Sequence, residues 1–307
     1  MQAGGNPIGL SSETFLSGSC FADRIGNKLD HFELTSLVNP MGVIFHPVAL
    51  VQVYKRALEN RPFGFEDIFE HRGLWHSYQV HSSLSRSSPE ALLVAVNEAL
   101  QKVRQALGRS SHLVFTFGTA WAYHLRETGQ LAANCHKVPK GEFDRKLSTA
   151  PEIGKPWVSL IEEIQKINPD VTIIFTVSPV RHIKDGLIEN SQSKAELITA
   201  VHQLVNQFGC CQYFPAYEIV MDELRDYRYF ERDMIHPNQL AVDYIWERFK
   251  QLWLDPSLGE YLLEIDNYKR NKAHRHQHPE SPEAMSFDRR LAEQAKTLNS
   301  LYPHLDL

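Results

Sequence analysis

An α/β fold, with a mostly parallel sheet and helices on both of its faces, is what this sequence predicts, and three observations carry that reading. Short apolar, β-branched runs alternate along the chain with longer amphipathic ones. The 307 residues are 43% hydrophobic, enough to bury a substantial core in one large domain. The polar clusters that look chemical (Ser19 and Cys20, Thr119, and residues 178–182) each follow a strand run directly. Open parallel sheets bind their ligands at that end of the strands.

The elements follow in order. Residues 13–17 read as a short buried strand stopping at Gly18, and residues 21–30 as the helix behind it. Residues 90–107 place Leu92, Leu93, Val96, Leu100, Val103 and Leu107 at helical spacing and end at Gly108. Residues 112–117 form a second strand before Gly118-Thr119, and residues 157–167 are helical up to Asn168-Pro169. Residues 171–177, β-branched nearly throughout, are the clearest strand and stop at Ser178-Pro179. Residues 194–208 are amphipathic, residues 212–220 read as a last strand, and residues 237–252 as a helix with Leu240, Ile245 and Phe249 on its apolar face. The polar, aromatic stretch 60–89 lacks a clear period and reads as a long loop over the sheet edge or the site.

The folded domain is expected over residues 1–265. Residues 266–307 read as a charged linker, including Lys269-Arg270-Asn271-Lys272, followed by a short amphipathic helix near 287–301. His274, His276 and His278 alternate within it, as a solvated basic segment does, although an extended chain would also let them meet a metal.

Composition excludes several classes. A net charge of −5 leaves no basic excess to meet nucleic acid. No apolar run reaches about 18 residues, so no membrane span is expected. The opening Met1-Gln2-Ala3-Gly4-Gly5 lacks the charged-then-apolar pattern of a signal peptide. Cys20, Cys135, Cys210 and Cys211 show no CxxC spacing and form no disulfide framework, as in a reduced compartment. The expectation is a cytoplasmic protein using neither metal nor organic cofactor.

Two separated motifs carry the chemistry. Asp233-Met234-Ile235-His236-Pro237-Asn238 puts a carboxylate three residues before an imidazole. Asp233 would accept one ring N–H and leave the other nitrogen of His236 as a base. Read plainly, Asp233 is a carboxylate at a helix start and His236 a capped surface residue. Gly18-Ser19-Cys20-Phe21-Ala22 puts two nucleophile candidates at a strand-to-helix turn, where free N–H groups and the helix dipole favour negative charge. A cysteine there is expected to be acidified by the helix end, and a serine to depend on His236. The plain alternative is a polar helix cap. Nucleophile, base and orienting acid are the parts of acyl transfer.

A third cluster, Asn134-Cys135-His136-Lys137, offers Asn134 as an oxyanion donor or as a turn-former bonding its own backbone. Cys135 and His136 lack the second ligand pair a metal site needs. Arg181 and His182 would meet an anionic group of a substrate, or Arg181 would make a structural ion pair.

These motifs resemble the GSCFA family, whose name stands here as residues 18–22. The resemblance runs from about Thr14 to Trp253 and includes Asn39-Pro40-Met41-Gly42, Gly118-Thr119-Ala120-Trp121, the cluster at Asn134, residues 178–182, residues 222–228 and residues 233–238. It implies membership of the SGNH, or GDSL-like, hydrolase superfamily: a three-layer α/β/α sandwich of flavodoxin-like strand order with an esterase or acyltransferase site. The superfamily's Asp-x-x-His-Pro block matches Asp233 and His236. Its Gly-Asp-Ser block aligns Cys20 with the nucleophile by position, or Ser19 by chemistry. Gly42 is the candidate for the oxyanion glycine. Ala120 stands where the superfamily has asparagine, which leaves Asn134 to substitute. Thr119, Trp121, His136, Arg181 and His182 are the expected substrate-binding residues. The substrate expected by analogy is an acylated carbohydrate or small ester. The rival expectation is a degenerate hydrolase that binds a glycan or other ligand without turnover.

Overall fold

Strands buried on both faces must be apolar at nearly every position, and three such strands set the centre of the computed structural model, which describes residues 5–307. In chain order the elements are β1 (Thr14–Gly18), α1 (Cys20–His31), β2 (Ser36–Val38), α2 (Pro47–Leu58), β3 (Phe69–His71), β4 (Leu74–His76), α3 (Pro89–Arg109), β5 (His112–Phe117), β6 (Trp121–Leu125), β7 (Leu131–Ala132), β8 (Phe143–Leu147), α4 (Ala150–Ile167), β9 (Thr172–Val177), α5 (Leu187–Gln207), β10 (Cys211–Tyr213), α6 (Ala216–Glu218), α7 (Gln239–Trp253), α8 (Gly259–Lys272) and α9 (Pro282–Leu301). β1, β5 and β9 are buried along their whole length.

The main sheet is parallel, in the order β10-β9-β5-β1-β2, the flavodoxin-like arrangement that the resemblance implies. Side chains alternate between its faces. Phe15, Leu113, Phe115, Phe175 and Val177 pack with residues of α2, α3, α4 and α5. Leu16, Val114 and Ile174 pack on the opposite side with α1, α7 and α8. This is the three-layer sandwich. The chain leaves β1 toward β2 and returns to the other side at β5, so the crevice beyond β1 and β5 is the switch point where such sheets bind ligands.

Several boundaries differ from the sequence expectation. The last strand stops at Tyr213 instead of reaching residue 220. Phe214 still donates to Phe175, but Pro215 has no N–H to continue the ladder, and Ala216 opens α6 and the π-turn Ile219–Glu223. α7 begins at Gln239, with Asn238 as its cap, and Leu240 on it is 58% exposed instead of facing the core. α4 starts at Ala150, seven residues early, because the Thr149–Glu152 capping box starts it ahead of Pro156. The expected loop 60–89 contains the β3–β4 hairpin, and the antiparallel sheet β7-β6-β8 was not anticipated. α8 runs through the boundary expected at residue 265, and Tyr268, Leu298 and Leu305 join the core of the α1 face.

Candidate active site

Gly18 begins the turn that carries both nucleophile candidates. Its φ of +133° is left-handed territory, and a Cβ there would lie 2.1 Å from the Thr116 carbonyl oxygen, so only glycine lets β1 and β5 close at this level. The turn is bonded on several sides. Gly18 N–H donates to Asn39 Oδ1 at 2.9 Å, Ser19 N–H to Thr116 O at 2.9 Å, and Ile44 N–H to Gly18 O at 2.9 Å. Asn39 Nδ2 also donates to Asp23 Oδ1 at 2.6 Å, tying α1 to the same turn.

The geometry separates Ser19 from Cys20. Ser19 is fully buried as the N-cap of α1, its Oγ accepting Phe21 N–H at 3.3 Å. Cys20 is half-buried and lines a cavity of about 350 Å³ with Arg24, Val180, Glu231, Asp233 and His236. Phe21 and Ala22 direct their amides to Ser19, so the Cys20 N–H is the first-turn amide left facing its own thiol. The expected acidification is overturned. Burial raises the Cys20 thiol above its ordinary range and the Asp23 carboxylate adds to this, against smaller pulls downward from its own N–H, Arg24 and Lys194.

Across the cavity, Asp233 makes three bonds at once. Its Oδ1 accepts the N–H of Ile235 at 2.9 Å and of His236 at 3.0 Å, and its Oδ2 pairs with His236 Nδ1 at 2.7 Å. The last contact leaves Nε2 as the free ring nitrogen. The bonds to His236 and the two amides hold the carboxyl down at about 2. Both side chains are exposed, 45% for Asp233 and 41% for His236. Arg181 braces the segment from outside, its N–H on Ile235 O at 3.1 Å and its guanidinium on Met234 O at 3.2 Å.

Most other expected site residues have structural partners elsewhere. Gly42 has a φ of +72° and its N–H closes a turn onto Asn39 O at 2.7 Å, so that amide is engaged and does not serve an oxyanion. Asn134 is carried off by the β6–β7 hairpin. Its Oδ1 accepts His136 N–H at 2.8 Å and the Ser82 hydroxyl at 3.3 Å, the turn-forming alternative, and it does not line the Cys20 cavity. His136 is buried between Ser77 O (2.7 Å) and Ser82 Oγ (3.1 Å), and burial drives it down to about 4. Thr119 bonds Ser193 Oγ and the Trp121 amide, and the Trp121 indole donates to Glu189 O while Arg145 covers its ring. None of these five lines the cavity shared by Cys20 and His236. Arg181 lines a separate cavity of about 210 Å³ with Leu224, Tyr227 and Phe230.

His182 does sit beside the site. Its N–H donates to Asn190 Oδ1 at 2.8 Å and its ring packs on Phe45. Its Nε2 is buried without a partner, and burial, followed by the nearby charges of Lys194, His236 and Lys184, drives the ring down to about 3. It is therefore a neutral neighbour of His236, unsuited to holding an anion by charge. Lys194, not anticipated from the sequence, is the notable addition. It lies 2% exposed on the inward stripe of α5, with its ammonium on Gly118 O at 2.8 Å and Ser178 O at 2.7 Å. The signal was present: Asn190, Ser193, Lys194, Leu197, Val201 and Leu204 share one helical face, which places a lysine in a buried stripe.

The model of the GSCFA family matches residues 13–249, from the start of β1 into α7. The chain belongs to that family. A comparison with curated proteins returns no match. Among the described residues, no helix is long and apolar enough to cross a membrane, and no group of three or more His, Cys, Asp and Glu side chains is gathered to hold a metal ion.

Proposed function

We propose that this GSCFA-family chain is an SGNH-like acyl-ester hydrolase or acyltransferase, with Cys20 as nucleophile, His236 as base and Asp233 as the acid that orients it. The observation that carries this reading is one shared cavity. Residue 20 and residues 233 and 236, far apart in sequence, line the same walls at the switch point of the sheet, while Ser19 is spent on the helix cap.

In this scheme the Cys20 proton passes to Nε2 of His236 as Sγ bonds to the acyl carbon. Asp233, ionised down to about pH 2, stabilises the imidazolium through Nδ1. The Cys20 N–H, left over at the helix start, is the oxyanion donor in place of Gly42 and Asn134. His236 then protonates the leaving alcohol as the C–O bond breaks, and water or a second alcohol, deprotonated by His236, takes the acyl group from sulfur. The raised thiol makes the base essential, since little thiolate forms without it. The half-open, polar-rimmed cavity suits a small acylated carbohydrate or aryl ester better than a long acyl chain. A screen of acetylated sugars and aryl esters, with Cys20→Ala and His236→Ala as controls, tests the reading. Turnover that survives Cys20→Ala would sink it.

The second reading, a ligand-binding module without turnover, is favoured by one observation: neither Gly42 nor Asn134 supplies an oxyanion donor. It predicts that acetylated glycans bind wild type and Cys20→Ala equally and are recovered unchanged.

A further inference from the structure

Lys194 takes no part in the scheme above, yet its position is costly. An ammonium removed from water is tolerated only when it is paired or fully hydrogen-bonded. Here two carbonyls take two of its three protons, and among the described residues no carboxylate pairs with it. The Tyr217 ring lies 5.7 Å away.

The register of the sheet shows what it faces. Gly18 on β1 pairs with Thr116 on β5, which pairs with Thr176 on β9. Two residues further along the chain come Cys20, which opens α1, and Gly118 and Ser178, which follow the last residues of β5 and β9. The Ser19 N–H holds Thr116 O where α1 opens at Cys20, and Lys194 holds Gly118 O and Ser178 O, so the thiol-bearing turn and the ammonium both lie beyond the carboxyl ends of neighbouring strands. We infer that Lys194 is a built-in counter-ion for Cys20, a positioning residue whose charge favours the thiolate and steadies it once the proton has left for His236. The inference rests on the reading of Cys20 as the nucleophile.

The charges around the pair fit. Burial pulls Lys194 down to about 7, and the Cys20 charge opposes that pull. Toward the thiol, Asp23 acts against ionisation while Arg24 and Lys194 favour it. Lys194 and His236 both help keep His182 neutral, so the unpartnered His182 ring does not compete for the positive role. Lys194 thus counters the burial that otherwise makes Cys20 a poor acid.

The test is the pH profile of Cys20 alkylation by iodoacetamide, followed by peptide mass in wild type and Lys194→Met, with folding checked by circular dichroism. Methionine keeps the length of the stem and removes the charge. The expected result is alkylation about tenfold slower near neutral pH, the equivalent of one unit in thiol acidity, with the same limiting rate at high pH. A folded Lys194→Met with the wild-type profile, or one slowed equally at every pH, overturns the inference. If Lys194→Met does not fold, Lys194→Gln replaces it, since its amide keeps two donors for the Gly118 and Ser178 carbonyls and carries no charge. The same slowing near neutral pH is expected, and a folded glutamine variant with the wild-type profile overturns the idea. Alkylation needs no ester. Failure to find ester turnover would remove the proposed function and leave this coupling standing, whereas Cys20-dependent turnover with no coupling would do the reverse.

Discussion

The Gly18–Cys20 turn is fixed from four elements at once: β5 through Thr116, the Asn39 turn, the Ile44 segment, and α1, which Asn39 grips at Asp23. The Asp233–His236 segment is held mainly by bonds that span two or three residues, with Arg181 as its brace from outside. One half of the candidate site is buried and defined by tertiary contacts. The other is exposed and defined by its own sequence. A nucleophile must meet a carbonyl at a set angle and profits from rigidity, whereas a base that serves first one oxygen or sulfur and then another tolerates a more open seat. The comparison predicts that substitutions at the bonded turn positions Gly18 and Ser19 damage folding, and those at Asp233 and His236 damage chemistry alone.

Gly18→Ala should give the largest effect. Alanine is strained at a φ of +133°, and its methyl would meet backbone, which has nowhere to go. We expect a loss of more than about 3 kcal/mol in urea denaturation, or no folded protein at all. A stable Gly18→Ala would mean that the turn is looser than its bonds imply.

His236→Ala, at the exposed half, should leave the melting temperature within a degree or two and lower ester turnover by roughly 10³-fold. Asp233→Asn sharpens the point, because an amide oxygen can still accept the Ile235 and His236 N–H groups while the charge beside Nδ1 is gone. The turn should persist and turnover should fall. The pH dependence has a definite sign. The Asp233 carboxyl is held at about 2, below its ordinary 3.8, so the stability it lends is present above about pH 4 and lost as pH falls through about 2. Protection of the Ile235 and His236 amides, measured against their intrinsic exchange rates, should fall in that window and stay unchanged from about pH 5 to 8.

The same contrast explains what could be read from the chain. Asp233 and His236 were legible because a motif closed within three residues carries its geometry with it. The buried strands β5 and β9 were legible because a parallel sheet demands unbroken apolar runs. β2, three residues long, and the sheet β7-β6-β8, mixed in polarity, offer no such run. Lys194 escaped notice because a lysine reads as surface unless the neighbours on its helical face are weighed first. The choice between Ser19 and Cys20 turned on which side chain caps α1, a question of φ and ψ that no spacing decides.

That choice supplies the third prediction. Cys20→Ala should abolish turnover with little change in stability. Ser19→Ala should do the opposite, costing about 1 kcal/mol through the lost cap while turnover stays within a few-fold. Thermal melts and initial rates on the two variants separate them, and a stable but inactive Ser19→Ala would return the nucleophile to the serine.

Asn134→Ala should have the smallest effect, and the reason lies in the chain path. From the sequence, Asn134 follows the β5 strand closely enough to fold back over the site, and as an oxyanion donor its loss would cost roughly 10²–10³ in rate. In the structure β6 and β7 intervene, and Asn134 faces Ser82 and His136, with its carbonyl oxygen already taken. A side chain that stabilises only a turn is worth about 1 kcal/mol or less to folding and nothing to the transition state. Turnover by Asn134→Ala should therefore equal wild type within about threefold, with a small drop in melting temperature. A rate loss approaching a hundredfold at unchanged substrate affinity would show that the β6–β7 hairpin swings over Cys20 during the reaction, and that the exposed half of the site is larger than the resting geometry displays.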